Sequence, residues 1–211
     1  MEKPVVWIIG AGGGVGGCVA RQLSEAGWKI VGSGRDPERL EPLASEIEDW
    51  VSLPLNACDP EQMESAAQSV FKNLGRLDAV VVAVGSIFLK PLHATSTEEF
   101  SKTINANLLP AFHALRYSIP GMMRQKEGRF VLFSSAAAQV GLANHGSISA
   151  AKSAVEGLAL AASSTYAKRG IRINTIAPGL TDTPLAASLL GGETRRAISD
   201  AMHPVGIGGS A

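Results

Sequence analysis

The chain has 211 residues with 19 acidic and 19 basic side chains, which give a formal net charge of zero at pH 7. It contains neither a charged run nor an apolar run of the ~20 residues that span a bilayer, so we expect no binding to nucleic acid or membrane. The amino-terminal residues lack a signal-peptide pattern, and Cys18 and Cys58 lack metal-binding spacing. We therefore expect a cytoplasmic protein with reduced thiols and no metal site.

Short apolar segments alternate with helical segments along the chain. Six of them are predicted to be strands, over residues 5–9, 29–33, 51–55, 79–84, 130–133 and 171–176. Several are apolar on both faces, which is typical of parallel strands that helices cover. The alternation predicts an α/β fold with a doubly wound parallel sheet in three layers (helices, sheet and helices), organised as one domain over residues 1–211.

The first predicted strand leads directly into a glycine cluster that contains Gly10, Gly14 and Gly16. Glycine permits a tight turn and a close approach of ligand to backbone, because it has no Cβ. If a helix begins at Gly14, its free N–H groups and positive dipole end form a phosphate site. A purely structural turn has the same pattern, so the surrounding strand and helix are what favour a dinucleotide.

Three further helices have recognisable starts. Asp36 and Asp59 each precede a proline and are predicted N-caps, and Gln62 completes a capping-box-like pattern with Asp59. Ser96 and Glu99 form another predicted capping box.

Arg35 follows the second predicted strand, where the adenosine ribose lies in a dinucleotide-binding fold. A guanidinium at this place binds a 2′-phosphate in bidentate fashion, whereas a carboxylate accepts hydrogen bonds from a free 2′-hydroxyl. The alternative is that Arg35 is a solvated side chain that happens to follow a strand.

Three stretches together resemble the short-chain dehydrogenase/reductase family. They are the glycine motif, the segment GRFVLFSSAAAQVGLANHGSISAAKSAVEGL over residues 128–158, and NTIAPG over residues 174–179. The resemblance covers almost the whole chain. It implies a Rossmann-like fold and an NAD(P)-dependent oxidoreductase that transfers hydride between nicotinamide and a small-molecule carbonyl or alcohol substrate.

The resemblance also assigns a cofactor site residue by residue. Gly34 stands where NAD-selecting members have an aspartate, so the resemblance, with Arg35, implies NADP(H) in preference to NAD(H). Asn56 replaces the aspartate that contacts adenine, and its side-chain carbonyl is still an acceptor. Thr183 is implied to bind the carboxamide. The positions that match the family's cofactor site are Gly10, Gly14, Val15, Gly16, Arg35, Asn56, Gly85, Lys152, Pro178, Gly179 and Thr183.

Three catalytic roles follow from the same resemblance. Ser135 is implied to hold the substrate carbonyl, Lys152 to bind the nicotinamide ribose, and Asn107 to order a water chain for the proton. A polar residue on the solvent side of a helix is the alternative for Asn107.

The catalytic tyrosine of the family is missing, because Ile148 stands four residues before Lys152. Isoleucine has no proton to give. Tyr166 lies too far along the same predicted helix to replace the tyrosine. His145, in the loop before Ile148, is the remaining side chain that titrates near neutral pH, with an exposed loop histidine as the alternative.

Two functions therefore remain open, besides a scaffold that binds no cofactor. The first is an NADP(H)-dependent oxidoreductase that takes its proton through Asn107, water or His145. The second is a cofactor-binding sensor or partner subunit, because Lys152 is kept while Ile148 has replaced the proton donor.

Assembly and the carboxy-terminal region complete the expectations. The segment 150–168 is apolar or small over most of its circumference and the segment 108–123 is similarly apolar, which predicts a second buried face. The resemblance implies that these two helices form the dimer interface, and therefore a homodimer or homotetramer. Family members usually continue beyond the region that matches residues 203–206 through another helix and a seventh strand. The resemblance thus implies that the carboxy-terminal strand is absent or truncated in this sequence.

Overall fold

The computed structural model describes residues 2–201 and 208–210. Its main sheet contains six parallel strands in the order β3-β2-β1-β4-β5-β6. The strands are β1 (Val5–Ile9), β2 (Lys29–Ser33), β3 (Trp50–Ser52), β4 (Ala79–Val82), β5 (Gly128–Phe133) and β6 (Ile171–Ile176). This order confirms the predicted doubly wound sheet, and it reverses between β1 and β4, where such sheets bind ligands at their carboxyl ends.

Helices connect the strands and cover both faces of the sheet. The described α-helices are α1 (Gly14–Glu25), α2 (Glu41–Glu46), α3 (Pro60–Leu74), α4 (Thr97–Gln125), α5 (Gly146–Tyr166), α6 (Ala187–Leu190) and α7 (Glu193–Ala201). A separate parallel pair joins β7 (Thr181–Asp182) to β8 (Gly209–Ser210). None of the described helices combines the length and the apolar character that crossing a bilayer requires.

Both faces of β1 are buried, which explains why every residue of this strand is apolar. Trp7 belongs to a core that includes residues of α3, α4 and α5. Ile8 points to the opposite face and belongs to a second core with residues of α1 and α2. The Trp7 indole N–H donates to the Ser33 hydroxyl at 2.8 Å, so the one polar group of this side chain is satisfied inside the protein.

Three predicted strands have different bounds in the structure. The third ends at Ser52, and Leu53 and Leu55 continue its pairing only as isolated N–H bonds to Gly32 and Gly34. Pro54 lies between them and has no N–H to continue a regular ladder. The fourth strand ends two residues earlier than predicted, at Val82, and the fifth begins two residues earlier, at Gly128.

The predicted helix caps at Asp59 and Ser96 are confirmed. Asp59 accepts hydrogen bonds from the N–H groups of Glu61 and Gln62, and Ser96 and Glu99 form a complete capping box. Asp36 also acts as a cap, but the segment it caps is a short 3₁₀ helix over Pro37–Arg39 rather than an α-helix.

The outer edge of β6 pairs with no strand within residues 2–201 and 208–210. Residues 203–206, beyond which family members continue through another helix and strand, lie outside the described residues. The expectations about the carboxy-terminal strand and about one domain over the whole chain therefore stay predictions.

Candidate functional site

The glycine turn after β1 is packed so tightly that side chains are excluded from it. Gly10 has φ of +95°, and a Cβ there would lie 2.8 Å from the carbonyl atoms of Ala83. A Cβ on Gly16 would lie 2.1 Å from the Gly10 oxygen. The N–H groups of Gly10 and Ala11 both donate to the Ser33 carbonyl, at 2.8 and 3.0 Å. The turn therefore lies where β1 and β2 end, and it also contacts the chain just after the end of β4.

Helix α1 begins at this turn without a side-chain cap. Its N-cap residue is Gly13, no side chain accepts a hydrogen bond from the first turn, and that turn contains no acidic residue. The first amides of a helix carry partial positive charge and need acceptors. The amino end of α1, including Gly14, Val15 and Gly16, is therefore suited to a phosphate group.

The loop that follows β6 lies directly against the glycine turn. A Cβ on Gly14 would lie 2.9 Å from Cγ2 of Thr183 and 3.2 Å from Cδ of Pro184. The same loop is tied to the end of β5, because the Ala136 N–H donates to the Pro178 carbonyl at 2.9 Å. The structure thus places Thr183 against Gly14 and Pro178 against Ala136.

The adenosine end of the predicted site combines Arg35 with the loop after β3. Arg35 is exposed. Burial raises the pKa of the Cys58 thiol, and the positive charge of Arg35 acts in the opposite direction on that pKa. Asn56 is also exposed, and its side-chain oxygen accepts from the Cys58 N–H at 3.2 Å. An amide oxygen has two lone pairs, so this turn leaves Asn56 able to accept a second hydrogen bond.

Asn107 is buried within α4 and holds the loop that follows β4. Its side-chain amide donates to the Ser86 hydroxyl and to the Thr103 carbonyl, each at 2.9 Å, and its oxygen accepts from the Ser86 N–H at 3.0 Å. The side chain belongs to a residue that is only 2% exposed. The alternative of a solvent-facing asparagine is therefore wrong.

Lys152 is buried beside the same loop. The residue is 7% exposed, and its ammonium group donates to the Phe133 carbonyl at 2.8 Å. No ion pair to Lys152 is found among the described residues. Burial without a carboxylate lowers the pKa of Lys152 to about 8, because desolvation disfavours the charged form.

Gly85 is the point where Asn107 and Lys152 meet. A Cβ at this exposed glycine would lie 3.0 Å from the Asn107 side-chain oxygen and 3.4 Å from the Lys152 nitrogen. Both polar groups therefore lie close to Gly85, and a side chain at this position would crowd them. Their meeting point lies past the end of β4, at the same edge of the sheet as the glycine turn.

Ser135 lies just after the end of β5, in a segment that hydrogen bonds hold against α5. It is the N-cap of a 3₁₀ turn, where its hydroxyl oxygen accepts from the Ala137 N–H at 3.2 Å and keeps its own hydrogen for another acceptor. The neighbouring Ser134 hydroxyl donates to Glu156 at 2.6 Å, and Gln139 donates to the same carboxylate at 3.3 Å. The 3₁₀ turn is thus held against the helix that contains Lys152.

Ile148 lies one helical turn before Lys152 and is 6% exposed. Residues four apart share a face of a helix, so the position of the family's tyrosine is filled here by a buried apolar side chain. Tyr166 packs against the hydrophobic core at the far end of α5 and does not replace it.

His145 is the N-cap residue of α5 and is half-buried, rather than the exposed loop residue that was the alternative. Its Nδ1 lies 2.7 Å from the Ala143 carbonyl. A carbonyl only accepts, so Nδ1 carries the hydrogen and Nε2 is the nitrogen left for other partners.

Sequence reasoning missed four residues that organise this site: Ser86, Thr103, Ser134 and Glu156. The only available signal was the i, i+4 spacing of Lys152 and Glu156 on one helix. The bonds of Ser86 and Ser134 join segments that are far apart in the sequence, so no local pattern reveals them.

These features fit a nicotinamide dinucleotide. Gly10 and Gly16 allow the backbone of the turn to pack closely, and the uncapped amino end of α1 that follows suits a pyrophosphate. Lys152 supplies a buried ammonium group with hydrogens beyond the one that Phe133 accepts.

The chain belongs to the short-chain dehydrogenase family, whose sequence model matches residues 4–193. It is 32% identical to a cyclohexanol dehydrogenase from Acinetobacter sp. (strain SE19), over 97% of this chain and 82% of the relative. It is 27% identical to a 3-oxoacyl-[acyl-carrier-protein] reductase, FabG, from Vibrio cholerae, over 98% and 84% of the two chains. The solved structure of ElxO with NADP bound superposes with a TM-score of 0.93 at 28% identity, over 99% of this chain and 87% of ElxO.

Proposed function

We propose that this protein is an NADP(H)-dependent oxidoreductase that transfers hydride between nicotinamide and a small carbonyl or alcohol substrate. The observation that supports this most strongly is the meeting of Lys152 and Asn107 at Gly85, on the sheet edge where the glycine turn also lies. A scaffold without cofactor needs no buried lysine that lacks an ion pair among the described residues.

In this proposal the backbone binds most of the cofactor. Gly10, Gly14, Val15 and Gly16 surround the pyrophosphate at the amino end of α1. Arg35 binds the 2′-phosphate, and Asn56 accepts a hydrogen bond from adenine. Gly85, Pro178, Gly179 and Thr183 border the nicotinamide, which supplies or accepts the hydride when the cofactor is bound.

The catalytic side chains act on the substrate and on the ribose. Ser135 donates its free hydroxyl hydrogen to the substrate oxygen and so orients the carbonyl. Lys152 binds the nicotinamide ribose hydroxyls through one of the two N–H groups that Phe133 does not accept. Asn107 keeps the loop after β4 in place. In this proposal it also orders the water chain that carries the proton.

The relatives support the cofactor and the substrate class. ElxO was solved with NADP, and the two curated relatives are named for an alcohol and for a 3-oxoacyl group. Both substrates undergo the same exchange between a carbonyl and an alcohol. A particular substrate for this chain does not follow from them.

We also propose that the protein forms a homodimer or homotetramer through α4 and α5. Phe112 on α4 is 39% exposed, and Leu160 on α5 is 74% exposed. These two helices pack against each other in the structure. Burial of such apolar side chains between copies removes them from water and favours association.

Parallel titration and activity assays test the proposal. Calorimetry with NADPH and NADH measures binding, and turnover is followed on a panel of ketones, aldehydes, diketones and alcohols. We expect preferential NADPH binding and measurable reduction of at least one carbonyl. Binding without turnover would instead support the sensor or partner subunit, which the buried Ile148 favours. Absence of binding would contradict both.

A further inference from the structure

Reduction of a carbonyl requires a proton as well as a hydride, and position 148 cannot supply it. The Ile148 side chain is apolar and buried. Among the candidate catalytic residues described above, those whose side chains hold a transferable proton are Ser135 with its hydroxyl, His145 with its imidazole and Lys152 with its ammonium group. An unassisted hydroxyl is a very weak acid, so the choice lies between His145 and Lys152.

Lys152 is the better placed of the two. In the described part of the chain its Nζ makes one hydrogen bond, to Phe133, which leaves two N–H groups available. Nζ lies beside Gly85 together with the Asn107 side chain, past the carboxyl end of β4. His145 lies one turn before Ile148, at the very start of α5, and its Nδ1 is engaged with Ala143.

The charges around Lys152 leave its ammonium group uncompensated. Glu156, one turn further along α5, accepts from Ser134 and Gln139 instead. On α4, Lys102 is exposed and the His113 Nδ1 bonds to the Ala57 carbonyl. Glu98, Arg116 and Arg124 on α4 are exposed. Other charged side chains on packed segments are engaged with one another or with backbone: Lys90 with Glu99, Arg129 with Glu127, and Arg172 with the Ala167 carbonyl.

We propose that the Lys152 ammonium group itself gives the proton to the substrate oxygen, in the role that position 148 has lost. When a carbonyl carbon receives a hydride with its electron pair, which a bound reduced nicotinamide would supply, the π electrons of the C=O bond move to oxygen. The oxygen forms an O–H bond as the Lys152 N–H bond breaks. Lys152 is left as a neutral amine, which regains its proton from water that enters beside Asn107.

This role rests on the proposed function, and the ionisation of Lys152 agrees with it. Burial lowers the pKa of Lys152 to about 8 and thus brings the ammonium closer to the operating pH. A general acid is most effective when its pKa lies near the operating pH. The protonated form is the active one, so the rate should be highest below about pH 8 and fall as the pH rises through that value.

The first measurement follows Lys152 without any activity assay. Protein labelled with ¹³C at the lysine ε-carbon is titrated by NMR, and the Lys152 signal is assigned by its loss in Lys152→Arg. We expect a midpoint near 8, below those of the exposed lysines. The pH dependence of single-turnover reduction at saturating NADPH should have its falling limb at the midpoint that NMR measures in the NADPH complex.

Variants then separate proton donation from charge. Lys152→Arg keeps the positive charge but binds its proton too tightly to release it, so we expect the rate to drop ~10²-fold or more and the falling limb to disappear. Lys168→Arg makes the same chemical change at an exposed lysine and should leave both unchanged. Lys152→Ala with added ethylamine should recover part of the rate, because the amine replaces the missing proton donor.

Each outcome has a definite meaning. Loss of the falling limb in His145→Gln, with Lys152→Arg unaffected, would overturn the role of Lys152 and assign it to the histidine. Lys152→Arg or Lys152→Ala that folds, binds NADPH and keeps the wild-type rate would also overturn it. A wild-type protein that binds NADPH yet reduces no carbonyl contradicts the proposed function itself, and this role with it.

Discussion

The glycine turn and the start of α5 respond differently to sequence change. The turn after β1 is built from backbone, and its glycines are required because Cβ atoms would overlap Ala83 and Gly10. The site at α5 depends on single side chains, namely Ser135, Ile148 and Lys152. We therefore expect a site built from backbone to depend little on the side chains around it. At the start of α5, in contrast, one replacement at position 148 alters the chemistry.

The largest effect should come from filling the glycine turn. In Gly16→Ala the new Cβ lies 2.1 Å from the Gly10 oxygen, which is backbone and cannot rotate away. We expect a cost at or above the ~1–3 kcal/mol typical of overpacked cores, with loss of NADPH binding. Thermal unfolding and calorimetry measure both effects.

Gly157→Ala is the matched control for the glycine turn. Gly157 lies within α5 with open space where a Cβ would be. Alanine there should stabilise the helix by ~0.5–1 kcal/mol and leave cofactor binding unchanged. Equal behaviour of Gly16→Ala and Gly157→Ala would contradict the argument that backbone packing defines this turn.

A tyrosine at position 148 should restore the general acid at the start of α5. In Ile148→Tyr, Lys152 lies one turn away on the same face and lowers the pKa of the new hydroxyl. We expect turnover to rise ~10²-fold, equivalent to roughly 3 kcal/mol of barrier. Turnover on the carbonyl panel is measured alongside unfolding, because the larger side chain enters a position that is only 6% exposed.

Ile148→Phe has nearly the same size as tyrosine and no hydroxyl, so it isolates the proton. We expect it to fold like Ile148→Tyr without the gain in rate. If Ile148→Tyr folds and is no faster than a wild type that is already fast, the native chain already has an efficient proton donor, as proposed for Lys152.

Substitution of Arg35 tests whether a single side chain affects cofactor binding in the part of the site that is otherwise built from backbone. Arg35→Ala removes a charge-assisted contact to the 2′-phosphate, which is worth ~1.5–3 kcal/mol. NADPH affinity should fall by about 10- to 150-fold while NADH affinity is unchanged. Calorimetric titration of both cofactors measures this, with Arg21→Ala as a control that removes an exposed arginine paired to Glu46. Equal affinity of the wild type for both cofactors would refute the preference.

The smallest effect on chemistry should come from the outer face of α5. Leu160→Glu places a charge on the most exposed apolar side chain of the described helices. We expect dissociation to monomers with the fold retained, because a charge buried between copies is unfavourable. Light scattering at micromolar concentration measures the assembly state, and a wild type that is already monomeric would contradict the proposed interface.

Local pattern was sufficient for much of the fold. Alternating apolar segments placed all six strands of the main sheet, and the caps at Asp59 and Ser96 lie where their sequences predict. Errors occurred at strand ends, where the hydrogen-bond ladder rather than composition decides the boundary. Asp36 shows the same limit, since its cap motif does not specify whether a 3₁₀ or an α-helix follows.

The sequence by itself determined the fold class, the glycine turn and the absence of a hydroxyl at position 148, because these depend on residue type and spacing along the chain. Only the tertiary structure decided that Thr183 packs against Gly14 and that the buried Asn107 donates to Ser86. It also decided that the buried Lys152 donates to a carbonyl rather than to a carboxylate. The physical reason is that desolvation and long-range hydrogen bonds arise when distant segments pack together. The pKa of Lys152 depends on that packing, and so does the chemistry proposed for this site.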